Sequence, residues 1–350
     1  MGTNTLYWIN AVKGICIILV FYSHCSIFYN IEIPYAREFI EAFYVNGFFF
    51  VSGYLLYRKQ LSFPVINKKV IDFIKFDLRL GLKNIFFRII LPSIFFSIIF
   101  YIPKKILKGG SVDIISMCVE TIGGGTYWFT TALVFAQILI YLMLITRRKS
   151  ILFYLISSIV LSILGLRLYS FFYESVYVKW FSIPGFIALT YMALGGIYYC
   201  YEKLIDEFLN SWFHYLLFAI YLVLVSTIYT KLHFTTSMCT MNFPGVVVAF
   251  IGILLLIRFC KIIPNLIALS YIGKNSLLFY FLSGGIPYIL SSCVKALKPN
   301  SILMLLLIWI LSLSLSYIVT YLINRKCSFL LDFRLNKNNN QNVLLKNSVR

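Results

Sequence analysis

The stretch AVKGICIILVFYSHCSIFYN, Ala11 to Asn30, suits the middle of a lipid bilayer at almost every position, and Lys13 and His24 are the exceptions. An α-helix needs about 20 apolar residues to cross about 30 Å of hydrocarbon, so this segment reads as a membrane-spanning helix. The rest of the chain is of the same kind. Of 350 residues 61% are hydrophobic and 12% charged, and the mean hydropathy is +0.87. A soluble domain is about a quarter charged, so the composition excludes a soluble protein and indicates an integral membrane one.

Comparable apolar runs recur along the chain, ten in all: Trp8 to Phe28, Phe39 to Tyr57, Ile85 to Ile102, Tyr127 to Ile145, Ile151 to Leu168, Phe181 to Tyr201, Trp212 to Tyr229, Phe243 to Ile257, Leu266 to Cys293 and Ile302 to Ile323. None shows the alternation of a barrel strand, and backbone groups in lipid must be satisfied within the segment. The expected fold is therefore all-α and polytopic, with about ten transmembrane helices and no separate soluble domain. Residues 1–325 form one transmembrane domain in this reading. Residues 326–350, which include RLNKNNNQNVLLKNSVR, form a polar, Asn-rich, basic cytoplasmic tail expected to be disordered beside anionic headgroups. The first span is read as a retained helix rather than a cleaved signal, because Lys13 lies within it and no small-residue cleavage site ends it.

The net charge of +19 does not point to nucleic acid, because its distribution is that of a membrane protein. Arg58, Lys59, Lys68, Lys69, Lys75, Arg79 and Lys83 share one loop, Arg147, Arg148 and Lys149 another, and the tail adds more. With ten spans all of these fall on one face, which the positive-inside rule makes cytoplasmic, with both termini. Lys104, Lys105 and Lys108 dissent, since the same topology puts them outside.

Eight cysteines are scattered without CxxC or CxxH spacing, and the reading is small apolar packing residues with no metal site. GGGTYW, Gly123 to Trp128, lacks the strand, lysine and spacing of a phosphate loop and reads as a turn before a span, with Tyr127 and Trp128 as interface anchors. Ser52 and Gly53 read as a small-residue site for close helix packing.

Lys13 and His24 are eleven residues apart. That spacing is a helical rise of about 16.5 Å and three turns plus about 20°, so the two side chains share a face. A charge within a bilayer costs several kcal/mol, so this face is expected to look into the bundle or a wet cavity. Taken singly, Lys13 is equally consistent with snorkelling to the interface and His24 with packing near the helix end.

KGICIILVFYSH also resembles the first-helix signature of the membrane acyltransferase 3 family, which includes O-antigen and exopolysaccharide O-acetyltransferases: a basic residue, usually arginine, ten residues, then histidine. NGFFFVSGYLL (Asn46 to Leu56), KNIFFRIILPSIFF (Lys83 to Phe96), TYWFTTALVFAQIL (Thr126 to Leu139) and LSYIGKNSLLFYFLS (Leu269 to Ser283) resemble later family segments, in the family's order and over nearly the whole chain. Two departures stand out. Lys13 replaces the arginine, exchanging a planar fork for a point charge, and Ser283 stands where many relatives place a histidine.

The resemblance implies transfer of an acetyl or similar short acyl group from acetyl-CoA or another acyl-CoA, a co-substrate rather than a bound cofactor, to a sugar hydroxyl of an envelope or exported polysaccharide. The expected location is a bacterial inner membrane. His24 is then the candidate general base, or an acyl-histidine nucleophile. Lys13 is expected at the donor, with Arg88 and Lys83 at its phosphates, where Pro92 four residues beyond Arg88 opens the helix. Trp128 is the candidate for stacking on the acceptor sugar. Glu41 and Glu120 read as solvated loop charges, and His214 and His233 are unassigned. The alternative from a different class is a non-enzymatic translocator of a lipid-linked glycan, with Lys13 and Arg88 merely contacting phosphate.

Overall fold

The structure, a computed structural model, describes residues 7–60, 78–110, 112–122, 127–145, 151–172, 183–232, 243–263, 266–296 and 301–327. These are helical throughout, without a strand among the described residues: α1 Tyr7–Tyr29, α2 Ala36–Glu41, α3 Tyr44–Gln60, α4 Arg79–Leu107, α5 Ile114–Ile122, α6 Trp128–Ile145, α7 Ile151–Phe172, α8 Ile183–Asn210, α9 Phe213–Leu232, α10 Phe243–Ile262, α11 Ile267–Lys274, α12 Ser276–Ser283, α13 Ile286–Ala296 and α14 Ile302–Lys326. The expected all-α, polytopic architecture is what the chain adopts. The polar tail from residue 328 onward, His233, Cys239, the glycines of GGGT and the Arg147–Lys149 cluster lie outside the described residues.

The expected ten spans are not reached by length and hydropathy. Six helical units qualify among the described residues, and a seventh if α8 and α9 together make one broken span. Two departures account for the difference. Residues Trp128–Leu144 and Leu152–Gly165 are apolar but short, and α8 meets α9 at a bend of 90°. A run of apolar residues reports hydropathy, whereas a bend depends on what the two halves pack against.

The run Leu266 to Cys293 is likewise not one helix but three, broken at Asn275 and at Gly284–Gly285. Breaks at membrane depth are tolerated where neighbours re-satisfy the backbone. At the first, Asn324 Nδ2 donates to Asn275 Oδ1 at 2.9 Å, and Asn275 Nδ2 donates to Tyr271 O at 2.9 Å. α4 carries its own irregularity: Phe86–Ile90 is a π-helical turn just ahead of Pro92. Pro92 has no N–H for the carbonyl four residues back, and the wider turn absorbs the lost bond.

Small residues let the central helices approach. A Cβ added at Gly53 of α3 would run into the Met192 backbone of α8, and one at Gly195 of α8 into Phe50 O of α3. Between α1 and α11, a Cβ on Gly273 would strike Asn10 O. The role expected of Ser52–Gly53 is thus seen at Gly53: without a hydrophobic drive between helices in lipid, close van der Waals contact holds them.

A charged network ties four helices at the amino-terminal end of α1. Lys261 Nζ of α10 donates to Glu202 Oε1 at 2.8 Å and Asp206 Oδ2 at 2.6 Å, both on α8. Tyr54 of α3 donates to Glu202 Oε2 at 2.6 Å, and Tyr198 to Asp206 Oδ1 at 2.8 Å. The ammonium also lies 5.0 Å from the Trp8 ring of α1. Every carboxylate oxygen here has a donor, as a buried polar cluster requires.

The seven described cysteines are free thiols, and no group of three or more His, Cys, Asp or Glu that could hold a metal occurs among the described residues.

Candidate active site

A cavity of about 320 Å³ is lined by α1, α2, α3, α4, α6, α8 and α12. Lys13 and His24 of α1 both line it. Their common helical face therefore looks into the bundle, with the two groups separated along α1 by a rise of about 16.5 Å. Ser276 and Leu277, at the start of α12, and Ser52 and Leu55 of α3 line the same cavity. Ser23, Ile27 and Glu41 accompany His24. Tyr191, Leu133 and Phe129 add rings and an aliphatic side chain to the lining.

What positions His24 is a backbone carbonyl. His24 Nδ1 lies 2.8 Å from Ser283 O. The local sequence explains why that oxygen is available. In SGGIP, Pro287 stands four residues after Ser283 and has no N–H to return to it. Ser283 closes α12, where the last carbonyls have no intrahelical partner. Phe281 O, in the same last turn, is taken by Tyr127 Oη at 2.8 Å. Because a carbonyl only accepts, Nδ1 carries the proton, and Nε2 of the neutral imidazole holds the lone pair. Ser283 thus contributes its main chain, and the imidazole is oriented by a carbonyl.

Glu41 is the residue that sequence reasoning set aside. It ends α2, lines the cavity, and accepts a hydrogen bond from Ser23 Oγ at 3.4 Å. It is not a solvated loop charge but a half-buried group bonded to Ser23, the residue before His24. The available signal was an acid in the short connection between the first two spans, on the side where His24 emerges. Glu120 matches its expectation better: it is exposed and pairs with Lys105 Nζ at 3.7 Å.

Trp128 lines the cavity as the first residue of α6. Tyr127, expected as an interface anchor, is instead buried, with its ring 5.1 Å from that of Phe281. Lys83 and Arg88 are not brought to this cavity. Both side chains are exposed on α4, while Ile89, one residue on, faces inward and lines the cavity. Neighbouring residues of a helical turn point in different directions, so a register that turns Ile89 inward turns Arg88 aside. His214 bonds the turn before its own helix, with Nδ1 2.7 Å from Ser211 O.

The arrangement can do acid–base chemistry: an oriented imidazole with a free ring nitrogen, a carboxylate and a hydroxyl at one end, and an ammonium at the other. No curated protein and no solved structure matches the chain. A family model described as an acyltransferase domain matches residues 6–325. That match runs from before α1 to the penultimate residue of α14 and takes in every wall of the cavity, so the chain belongs to the acyltransferase 3 family and is a membrane acyltransferase.

Proposed function

We propose that the protein is an O-acyltransferase that moves an acetyl or similar short acyl group from acyl-CoA to a sugar hydroxyl of a cell-envelope or exported polysaccharide. In this reading it sits in a bacterial inner membrane with both termini cytoplasmic. The donor enters at the Lys13 end and the acceptor meets it at the His24 end. The sidedness is supported by the alternate basic loops, and the donor end by the ammonium of Lys13.

The observation that carries the proposal is His24 lining the cavity with Nδ1 committed to Ser283 O at 2.8 Å. That leaves Nε2 to take the proton of an acceptor hydroxyl as its oxygen attacks the thioester carbonyl. The new C–O bond forms, the C–S bond breaks, and Nε2 returns its proton to the departing thiolate. Glu41 and Ser23 are placed to bind neighbouring hydroxyls, and Trp128 offers a ring to a sugar face. For the donor the reading rests on Lys13. Arg88 and Lys83, on the exposed side of α4, would meet only a part of the donor that lies outside the cavity.

The test is transfer of label from radiolabelled acetyl-CoA to a glycan acceptor by the purified protein. His24→Ala is expected to lower kcat by about 10²- to 10⁴-fold, the usual worth of a positioned general base. Undiminished transfer in that variant removes His24 from the chemistry. Wild-type protein that moves a lipid-linked glycan between leaflets without acylating it would favour the translocator reading instead.

A further inference from the structure

Of the three lysines that run against the positive-inside pattern, Lys104 and Lys105 lie in the last turn of α4 and Lys108 follows it as the cap. Lys104 lies near the segment that holds His24. A Cβ added at Gly284 would stand 3.8 Å from Lys104 Nζ, and Gly284 follows Ser283, whose carbonyl holds His24. Lys108 Nζ is 5.9 Å from the ring of Tyr288. Tyr288 in turn packs edge-on against Phe28 at 5.3 Å, and Phe28 lies 5.6 Å from the His24 ring. Lys104 thus lies near the residue that follows the carbonyl holding His24, and Lys108 lies at the far side of the Tyr288–Phe28 pair that packs on the imidazole.

Their charges are not equally satisfied. Lys105 pairs with Glu120 at 3.7 Å and covers its own Tyr101 ring at 5.2 Å. Among the described residues, neither Lys104 nor Lys108 has a carboxylate within 4.0 Å. Lys104 is half-buried, so it is partly removed from water as well. Beside it Gly284 carries no side chain, and its neighbours, Lys104 Nζ among them, stand at ordinary contact distance from an added Cβ, the nearest at 3.6 Å. Glu120 acts on Lys104 only from a distance, so a partly desolvated ammonium with no carboxylate in direct contact gains when an anion binds it.

From this we infer that the acceptor is an acidic glycan. Its carboxylate or phosphate substituent is bound by Lys104 and Lys108 while Tyr288 and Phe28 pack against the sugar, which presents a neighbouring hydroxyl to His24. This deepens the acyl-transfer reading and rests on it. It also gives the lysines a reason to stand at the less basic end of the molecule, since they answer to a ligand rather than to topology.

The experiment measures binding without any acyl donor, on the full-length protein in neutral detergent. The probes are a hexuronate oligosaccharide and its carboxyl-reduced, neutral counterpart. The acidic probe is expected to bind about ten-fold more tightly, as for one charge-assisted contact. The preference should vanish in Lys104→Met/Lys108→Met and survive in Lys104→Arg/Lys108→Arg. Equal affinity for the two probes, no binding of the acidic one at millimolar concentration, or a preference that outlasts the methionine variant overturns the proposal. So does its abolition by anionic but not zwitterionic phospholipid, which would assign the lysines to a headgroup. Failure of the acyl-transfer reading appears elsewhere, as undiminished turnover in His24→Ala.

Discussion

Replacing Lys261 by methionine removes the cation at the centre of the network between α1, α3, α8 and α10. Methionine keeps most of the stem's packing, so the loss is mainly of charge and hydrogen bonds. Two charge-assisted bonds disappear, at 2.8 Å to Glu202 and 2.6 Å to Asp206, with the contact over Trp8 at 5.0 Å. Each such bond contributes about 1.5–3 kcal/mol when buried. The side chains keep 20–28% exposure, so water compensates part of it. What remains is two carboxylates four residues apart on α8, held in place by Tyr54 and Tyr198, which repel each other without a counter-ion. The net expectation is a loss of about 2–4 kcal/mol, below the 3–5 kcal/mol typical of breaking a fully buried pair. Thermal unfolding of the detergent-solubilised protein should show a melting temperature lowered by roughly 5 °C or more. The triple variant Glu202→Gln/Asp206→Asn/Lys261→Met keeps acceptors for both tyrosines and removes the repulsion. It should be less destabilised than the sum of its parts, with a coupling of about 0.5–3 kcal/mol. A melting temperature for Lys261→Met equal to that of the wild type, or a triple variant whose losses simply add, refutes the view that this network fastens the four helices.

Three further outcomes are expected. Gly53→Ala should destabilise by about 1–3 kcal/mol, because its Cβ meets the Met192 backbone, which cannot swing aside; Gly284→Ala, with nothing nearer than 3.6 Å, should melt as the wild type does. Pro287→Ala restores an N–H that can compete for Ser283 O, so kcat for acyl transfer should fall several-fold while the KM values hold; unchanged kcat would mean that the missing proline donor does not matter to His24. Trp128→Ala should raise the KM for the glycan roughly 2- to 10-fold and leave that for acyl-CoA alone, as expected for a ring that packs on the acceptor.

The residues legible in advance were those whose meaning is local. Lys13 and His24 could be put on one face by counting along a helix, and both do line the cavity. Gly53 could be read as a packing site because small residues have few other uses in a membrane helix. Arg88 shows where such counting stops. Its depth along α4 follows from the sequence, but its direction follows from what α4 packs against, and Arg88 lies within the π-helical turn Phe86–Ile90. Glu41 was passed over for the mirror-image reason: a loop acid looks solvated until the fold lays α2 beside α1.

Composition and the length of the apolar runs determined by themselves that this is an all-helical membrane protein, because in hydrocarbon a chain has no other way to satisfy its backbone short of a closed barrel. Tertiary structure decided how many of those runs are long, straight helices, where α11, α12 and α13 part, and which oxygen holds His24. These depend on partners distant in sequence: Ser283 is 259 residues from His24, and no pattern of hydropathy near either one encodes their meeting. Only the absence of a donor at Pro287 is written locally, and it becomes an active-site feature when α12 is folded against α1.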